Sequence, residues 1–116
     1  MINLGRFELC LNVKDINQSI DFYKKLGFEI VARDSASIWA TVKYGNTMVA
    51  LYRGCISKNI LNFRGSDVFA VANALKESGL KFKRGPEIEE DGSAGAVIED
   101  PDGNAIYFNT HPDEKE

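Results

Sequence analysis

The feature that most restricts this chain is a repeat. An offset of 52 residues carries Leu11 onto Phe63, Asp15 onto Asp67, Gly27 onto Gly79 and Phe28 onto Leu80. In the first copy, apolar Phe7, Leu9, Leu11 and Val13 alternate with Glu8, Cys10 and Asn12, the period of a strand with one buried face. Asp15 stands at the N-cap position of a helix in which Ile20, Phe22, Tyr23 and Leu26 follow at helical spacing and which stops at Gly27. A second strand is expected from Phe28 to Ala32. A hairpin is expected from Ile38 to Tyr44 and from Thr47 to Arg53, turning at Gly45-Asn46.

The second copy predicts a strand from Ile60 to Arg64, a helix from about Val68 to Ser78 ending at Gly79, and a strand from Lys81 to Arg84. Its hairpin spans about Ala94 to Asn109 and turns at Asp100-Pro101-Asp102-Gly103-Asn104. There the offset grows to 57, since Gly45-Asn46 corresponds to Asp102-Gly103, and the surplus predicts a longer loop around Glu87 to Ser93. Two strand-helix-strand-strand-strand copies make an α+β chain of two βαβββ modules. Module one covers about residues 5–53 and module two about 59–109, within one domain of 116 residues.

Composition narrows the function classes. A formal charge of −3 with scattered basic residues speaks against nucleic acid, which is held by clustered Lys and Arg. No stretch reaches the roughly 18 apolar residues of a membrane span, and the first residues show no signal-peptide pattern. Cys10 and Cys55 form neither a CxxC nor a disulfide ladder, and Cys10 sits in an apolar run as a small core residue would. The expected setting is reduced and cytoplasmic.

Alternation also assigns faces. If the hairpin turns at Gly45-Asn46, Thr41 pairs with Ala50 and Trp39 with Tyr52, and these four share a face with Lys43 and Met48. Ala40, Val42, Val49 and Leu51 take the helix side, as do Leu61, Phe63, Ile106 and Phe108 in the second copy. The face turned from the helices thus holds Trp39, Tyr52 and Tyr107 with Thr41, Asn62 and Asn109, and the opposite charges Glu8 and Arg64. Rings mixed with a few polar groups line small-molecule cavities; such a face can also meet solvent or a second subunit.

The residues Leu9-Cys10-Leu11-Asn12-Val13-Lys14-Asp15, then Ser19 and Phe22 to Glu29, resemble the opening of a vicinal oxygen chelate module. Asp100 to Ile106 resembles its closing strand, with Leu61 to Phe63, Asp67 and Leu75 to Gly79 between. By these motifs the chain resembles the glyoxalase/bleomycin resistance/dioxygenase superfamily over nearly its whole length. The resemblance implies a half-open eight-stranded mixed sheet with helices outside and the site on the concave inner face. Metal-dependent members hold a divalent ion with His and Glu from the first and last strands of each module. Carried over, those positions are Glu8, Ala50, Ile60 and Tyr107. Only Glu8 is a good ligand, so no metal and no cofactor are expected.

His111 lies past the last strand and reads as a solvated tail residue, which leaves no Ser/His/Asp or Cys/His nucleophile system. Asp100 and Asp102 read as backbone-holding residues of a turn. The expected function is metal-free binding of a small molecule by Glu8, Trp39, Thr41, Ala50, Tyr52, Asn62, Arg64 and Tyr107, in a homodimer like the family's bleomycin-binding members. Glu8 is the candidate catalytic group: burial near rings would fit it as a general base, and pairing with Arg64 would fit a structural role. An enzyme using Glu8 with Tyr107 or a nonstandard metal, and a ligand-free structural or regulatory dimer module, are the alternatives.

Overall fold

In the first copy, Asp15 adopts extended backbone and its carboxylate accepts a hydrogen bond from the Gln18 amide at 3.1 Å. That contact satisfies one of the open donors of helix α1 (Ile16–Leu26) and contributes about 1 kcal/mol. Gly27 closes the helix in the left-handed region at φ 107°. Ahead of the helix runs β1 (Arg6–Asn12), and after it come β2 (Glu29–Arg33), β3 (Trp39–Tyr44) and β4 (Thr47–Tyr52). The second copy contains β5 (Ile60–Arg64), α2 (Val68–Glu77), β6 (Arg84–Ile88), β7 (Ala94–Glu99) and β8 (Ala105–Thr110), followed by a short 3-10 turn (Pro112–Glu114). Asp67 caps α2 through the Ala70 amide at 3.1 Å, repeating the device of Asp15.

These elements are those of a computed structural model, which describes residues 2–114. The strands of the first copy are ordered β2-β3-β4-β1 and those of the second β5-β8-β7-β6. β1 and β4 run parallel, with Cys10 beside Ala50 and Asn12 beside Tyr52; the hairpin partners are antiparallel. The chain divides into two compact units. One is Glu8–Ile60, and the other runs from Leu61 onward and takes in the N-terminal residues up to Phe7. Among the described residues no helix is long and apolar enough to cross a membrane.

The first unit buries Ile16 and Ile20 of α1 against Ala40, Val42, Val49 and Leu51, with Leu9, Leu11, Val13, Tyr23 and Phe28 packed around them. The second buries Val68 and Val71 of α2 against Ala96, Ile98 and Phe108, with Phe63, Phe82 and Ile106 alongside. Full burial of one such aliphatic side chain stabilises by about 1.5–3 kcal/mol.

Phe22 and Leu26, though at helical spacing, stand 59% and 58% exposed: Ile16, Ile20 and Tyr23 already fill the core-facing stripe, and Phe22 and Leu26 form a second stripe four residues apart. Several expectations are corrected. Phe7 is also exposed, although its ring centroid lies 5.5 Å from that of Phe63, and Leu61 is at the edge of exposure. The second strand of the second copy is Arg84–Ile88 rather than Lys81 to Arg84. β6 contains Pro86, and it ends its half of the sheet order, where a missing donor is tolerated. Its pairing with β7 changes register between Arg84 and Glu87. Glu87 and Ile88 are therefore strand, and the loop shrinks to a tight turn in which Glu89 N–H donates to Ser93 O and Gly92 N–H to Glu89 O. At the opposite end of the order, all five residues of β2 are exposed, and its register against β3 slips between Ile30 and Ala32.

Candidate functional site

The face turned from the helices is built differently in the two units. In the first, the observed register pairs Trp39 with Tyr52 and Thr41 with Ala50, the pairing expected from a turn at Gly45-Asn46. Trp39, Thr41 and Tyr52 are half-buried, and Ala50 is buried beside Cys10. Glu8 is only 4% exposed, and its Oε1 accepts from the Cys10 thiol at 3.8 Å, so a carboxylate and a thiol are enclosed together on one strand.

In the second unit the same face is a network of charge. The Tyr107 hydroxyl donates to Glu89 Oε1 at 2.7 Å. Arg84 Nη1 donates to Glu87 Oε1 at 2.6 Å and to Glu89 Oε1 at 3.3 Å, and its guanidinium lies 5.7 Å from the centre of the Tyr107 ring. Burial, reinforced by the Glu89 acceptor and opposed by Arg84, pushes the Tyr107 phenol up to about 12. At neutral pH it is therefore a fixed hydrogen-bond donor. Hydrogen bonding to Glu87 and Tyr107 in turn holds Arg84 firmly in its charged form.

This network needs a glycine beneath it. A Cβ on Gly95 would lie 2.5 Å from Glu89 Oε1 and 3.1 Å from the Tyr107 hydroxyl, so the carboxylate occupies the space a side chain would take. Glu89 extends into a second cluster. The Ser93 hydroxyl donates to Asp91 and lies 3.5 Å from Glu89 Oε2. Hydrogen bonds from Ser93 hold the Asp91 carboxyl below its ordinary range. His111 Nδ1 stands 3.7 Å from Asp91 Oδ2, so His111 is a half-buried neighbour of that turn and not the solvated tail residue expected.

Asn62 is buried, and Arg64 is half-buried with Nη2 donating to Glu114 Oε1 at 2.9 Å. Glu114 Oε2 accepts from Arg6 Nη2 at 3.1 Å. Burial raises the Glu114 carboxyl, but hydrogen bonds from Arg64 and the His111 amide outweigh it, and the group lies below its ordinary value. Asp100 holds the β7–β8 turn as expected, accepting from the amides of Asp102 and Asn104 and from the Asn104 side chain. Ile60, one of the four carried-over positions, is half-buried at the start of β5. Arg84, Glu89, Gly95 and Glu114 were absent from the residues singled out in the sequence. Glu87 and Glu89 lay in what read as a loop, and no local pattern announces that Glu114 folds back.

Residues 59–108 match the sequence model of the Glyoxalase/Bleomycin resistance protein/Dioxygenase superfamily. That match covers the second copy of the repeat, which is similar to the superfamily's model. An uncharacterized protein of Mycolicibacterium smegmatis is 28% identical over 102 residues, covering 84% of this chain and 86% of that one. A superfamily member from Vibrio splendidus 12B01 superposes with a TM-score of 0.65 at 20% identity, over 90% of this chain and 97% of its own. Methylmalonyl-CoA epimerase of Streptomyces coelicolor, in complex with 2-nitronate-propionyl-CoA, superposes with a TM-score of 0.68 at 17% identity, over 98% and 99%. At those identities the solved structures attest the fold.

The superfamily's divalent metal does not fit the residues present. Ala50 and Ile60 bring no donor atom, and the Tyr107 phenol is committed as a donor to Glu89. Among the described residues no group of three or more His, Cys, Asp or Glu side chains is placed to hold a metal ion.

Proposed function

We propose that this protein binds a small organic molecule without a metal, on the strand faces turned away from the helices. The reading is carried by Tyr107: at a position where metal-dependent relatives are expected to place a ligand, a half-buried phenol is fixed by Glu89 at 2.7 Å and by Arg84 above its ring. A ring with an oriented hydroxyl, flanked by a charge-neutralised guanidinium, presents apolar surface together with directional hydrogen bonding. The half-buried Trp39, Thr41 and Tyr52 supply the same mixture in the first unit, with Ala50 as an apolar floor and Glu8 as a polar contact, and Asn62 and Arg64 are polar groups offered by the second unit. Homodimer assembly belongs to the same proposal and is read by light scattering, where a strictly monomeric protein would remove it.

The test is a thermal-shift and calorimetric screen of chelator-treated protein against metabolites and antibiotics. A saturable ligand is expected, with Tyr107→Phe weakening it about tenfold, the usual weight of a lost directional hydrogen bond. No saturable binding across the screen, or one tightly held metal per chain after loading, would overturn the reading.

A second reading has its own observation. Glu8 is a buried carboxylate on the same kind of face, and a carboxylate enclosed beside an apolar floor can serve as a general base. If turnover of any ligand is found, Glu8→Gln should abolish it; unchanged turnover would eliminate that mechanism.

A further inference from the structure

Glu114 belongs to the short turn after β8, a segment in which no residue is buried. Its carboxylate is nevertheless gripped from two sides, with Oε1 held by Arg64 Nη2 at 2.9 Å and Oε2 by Arg6 Nη2 at 3.1 Å. Arg6 opens β1 and Arg64 closes β5, so the two guanidinium groups come from strands far apart in sequence and converge on one anion. The His111 amide also donates to Oε1 at 3.2 Å, so the anion meets one charged donor on each oxygen and one backbone donor. Paired guanidinium donors are a means by which arginines recognise a free carboxylate. The backbone is shaped for it. Gly65 has φ +90°, and a Cβ there would fall 2.6 Å from Arg6 Nη1, so that guanidinium lies against bare main chain.

We propose that Arg6 and Arg64 form a carboxylate-binding site in which Glu114 stands in for the ligand. The proposal rests on the small-molecule reading above, because it names the chemistry of that molecule: an organic acid whose carboxylate displaces the C-terminal turn. Glu114 is tethered, so it competes at an effective concentration in the millimolar range, and a free carboxylate meets the arginines only while the turn is released. The turn is thereby a built-in competitor, which a ligand overcomes by adding contacts of its own.

The experiment titrates sodium acetate into nitrogen-15-labelled full-length protein at constant ionic strength, following the arginine Nε–H resonances. Glu114→Ala should bind acetate at least about tenfold more tightly than the unaltered protein. Adding Arg6→Gln to Glu114→Ala should remove that gain; Arg6 is 69% exposed, so the second change leaves the fold intact. Equal affinity with and without Glu114, or a gain that survives loss of Arg6, would overturn the proposal. Inorganic phosphate bound as tightly as acetate by Glu114→Ala would overturn the carboxylate assignment. The two readings fail separately. An empty ligand screen alongside acetate binding by Glu114→Ala removes the small-molecule function and leaves the clamp. Screen ligands that bind equally with and without Glu114 remove the clamp alone.

Discussion

Ala50 and Tyr107 occupy corresponding places in the two copies of the repeat, on the last strand of each, and their surroundings diverge. Ala50 is buried between Cys10 and Thr41 with nothing to donate or accept beyond its backbone. Tyr107 is tied into Arg84, Glu89 and, through Glu89, Ser93 and Asp91. The caps, helices and strand order repeat, whereas the side chains on the faces away from the helices do not. A duplicated backbone thus leaves each copy free to be specialised: packing dominates the first, and directional polar contacts dominate the second.

The comparison breaks most readily in the first copy's core. Leu51→Ala removes a side chain with no exposed area and should cost about 2–5 kcal/mol, read from urea unfolding. A cost under about 1 kcal/mol would mean that packing does not dominate there. Next, Gly95→Ala should cost about 1–3 kcal/mol by driving a methyl group into the Glu89 carboxylate. It should also lower the Tyr107 ionisation from about 12 by the part that the Glu89 acceptor adds to burial, visible as ultraviolet absorbance of phenolate. If that ionisation stays put, Glu89 is not what holds the phenol.

A smaller effect concerns pH. Because the Tyr107 value is raised in the folded chain, its stabilising contribution is complete below 10 and is lost as pH rises through about 12. Tyr107→Phe should abolish that alkaline loss, and an unchanged alkaline limb would assign it to other groups. Glu114 has the opposite sign. Its value is lowered, so its contribution is present above the ordinary 4.5 and fades as pH falls through the folded value. Glu114→Gln should flatten the acid limb by about 1 kcal/mol or less, the usual scale of a partly exposed ion pair.

Much of this was legible in the residues. Asp15 and Asp67 announce two helix starts because a short acceptor before an apolar stripe has few other uses. Gly45-Asn46 fixes a hairpin register to the residue, and with it the side of Trp39, Thr41, Ala50 and Tyr52. What was not legible has physical causes. Pro86 hides a strand at the end of the sheet order, where a missing donor costs little. Phe22 and Leu26 obey helical spacing and still face outward, since periodicity shows that a stripe exists without saying which stripe is covered. The grip of Arg6 and Arg64 on Glu114 spans 108 and 50 residues, and no window along the chain detects contacts of that range.

β2 carries a consequence of another kind. A terminal strand whose five residues are all open to water, Ile30 and Val31 among them, offers a template on which a foreign strand could grow toward a fibre. The slip between Ile30 and Ala32 puts the donors and acceptors out of step midway, so an incoming strand that matches one end mismatches the other. Straightening that irregularity, by deleting Val31, should leave the core untouched and make the protein prone to aggregate from its native state.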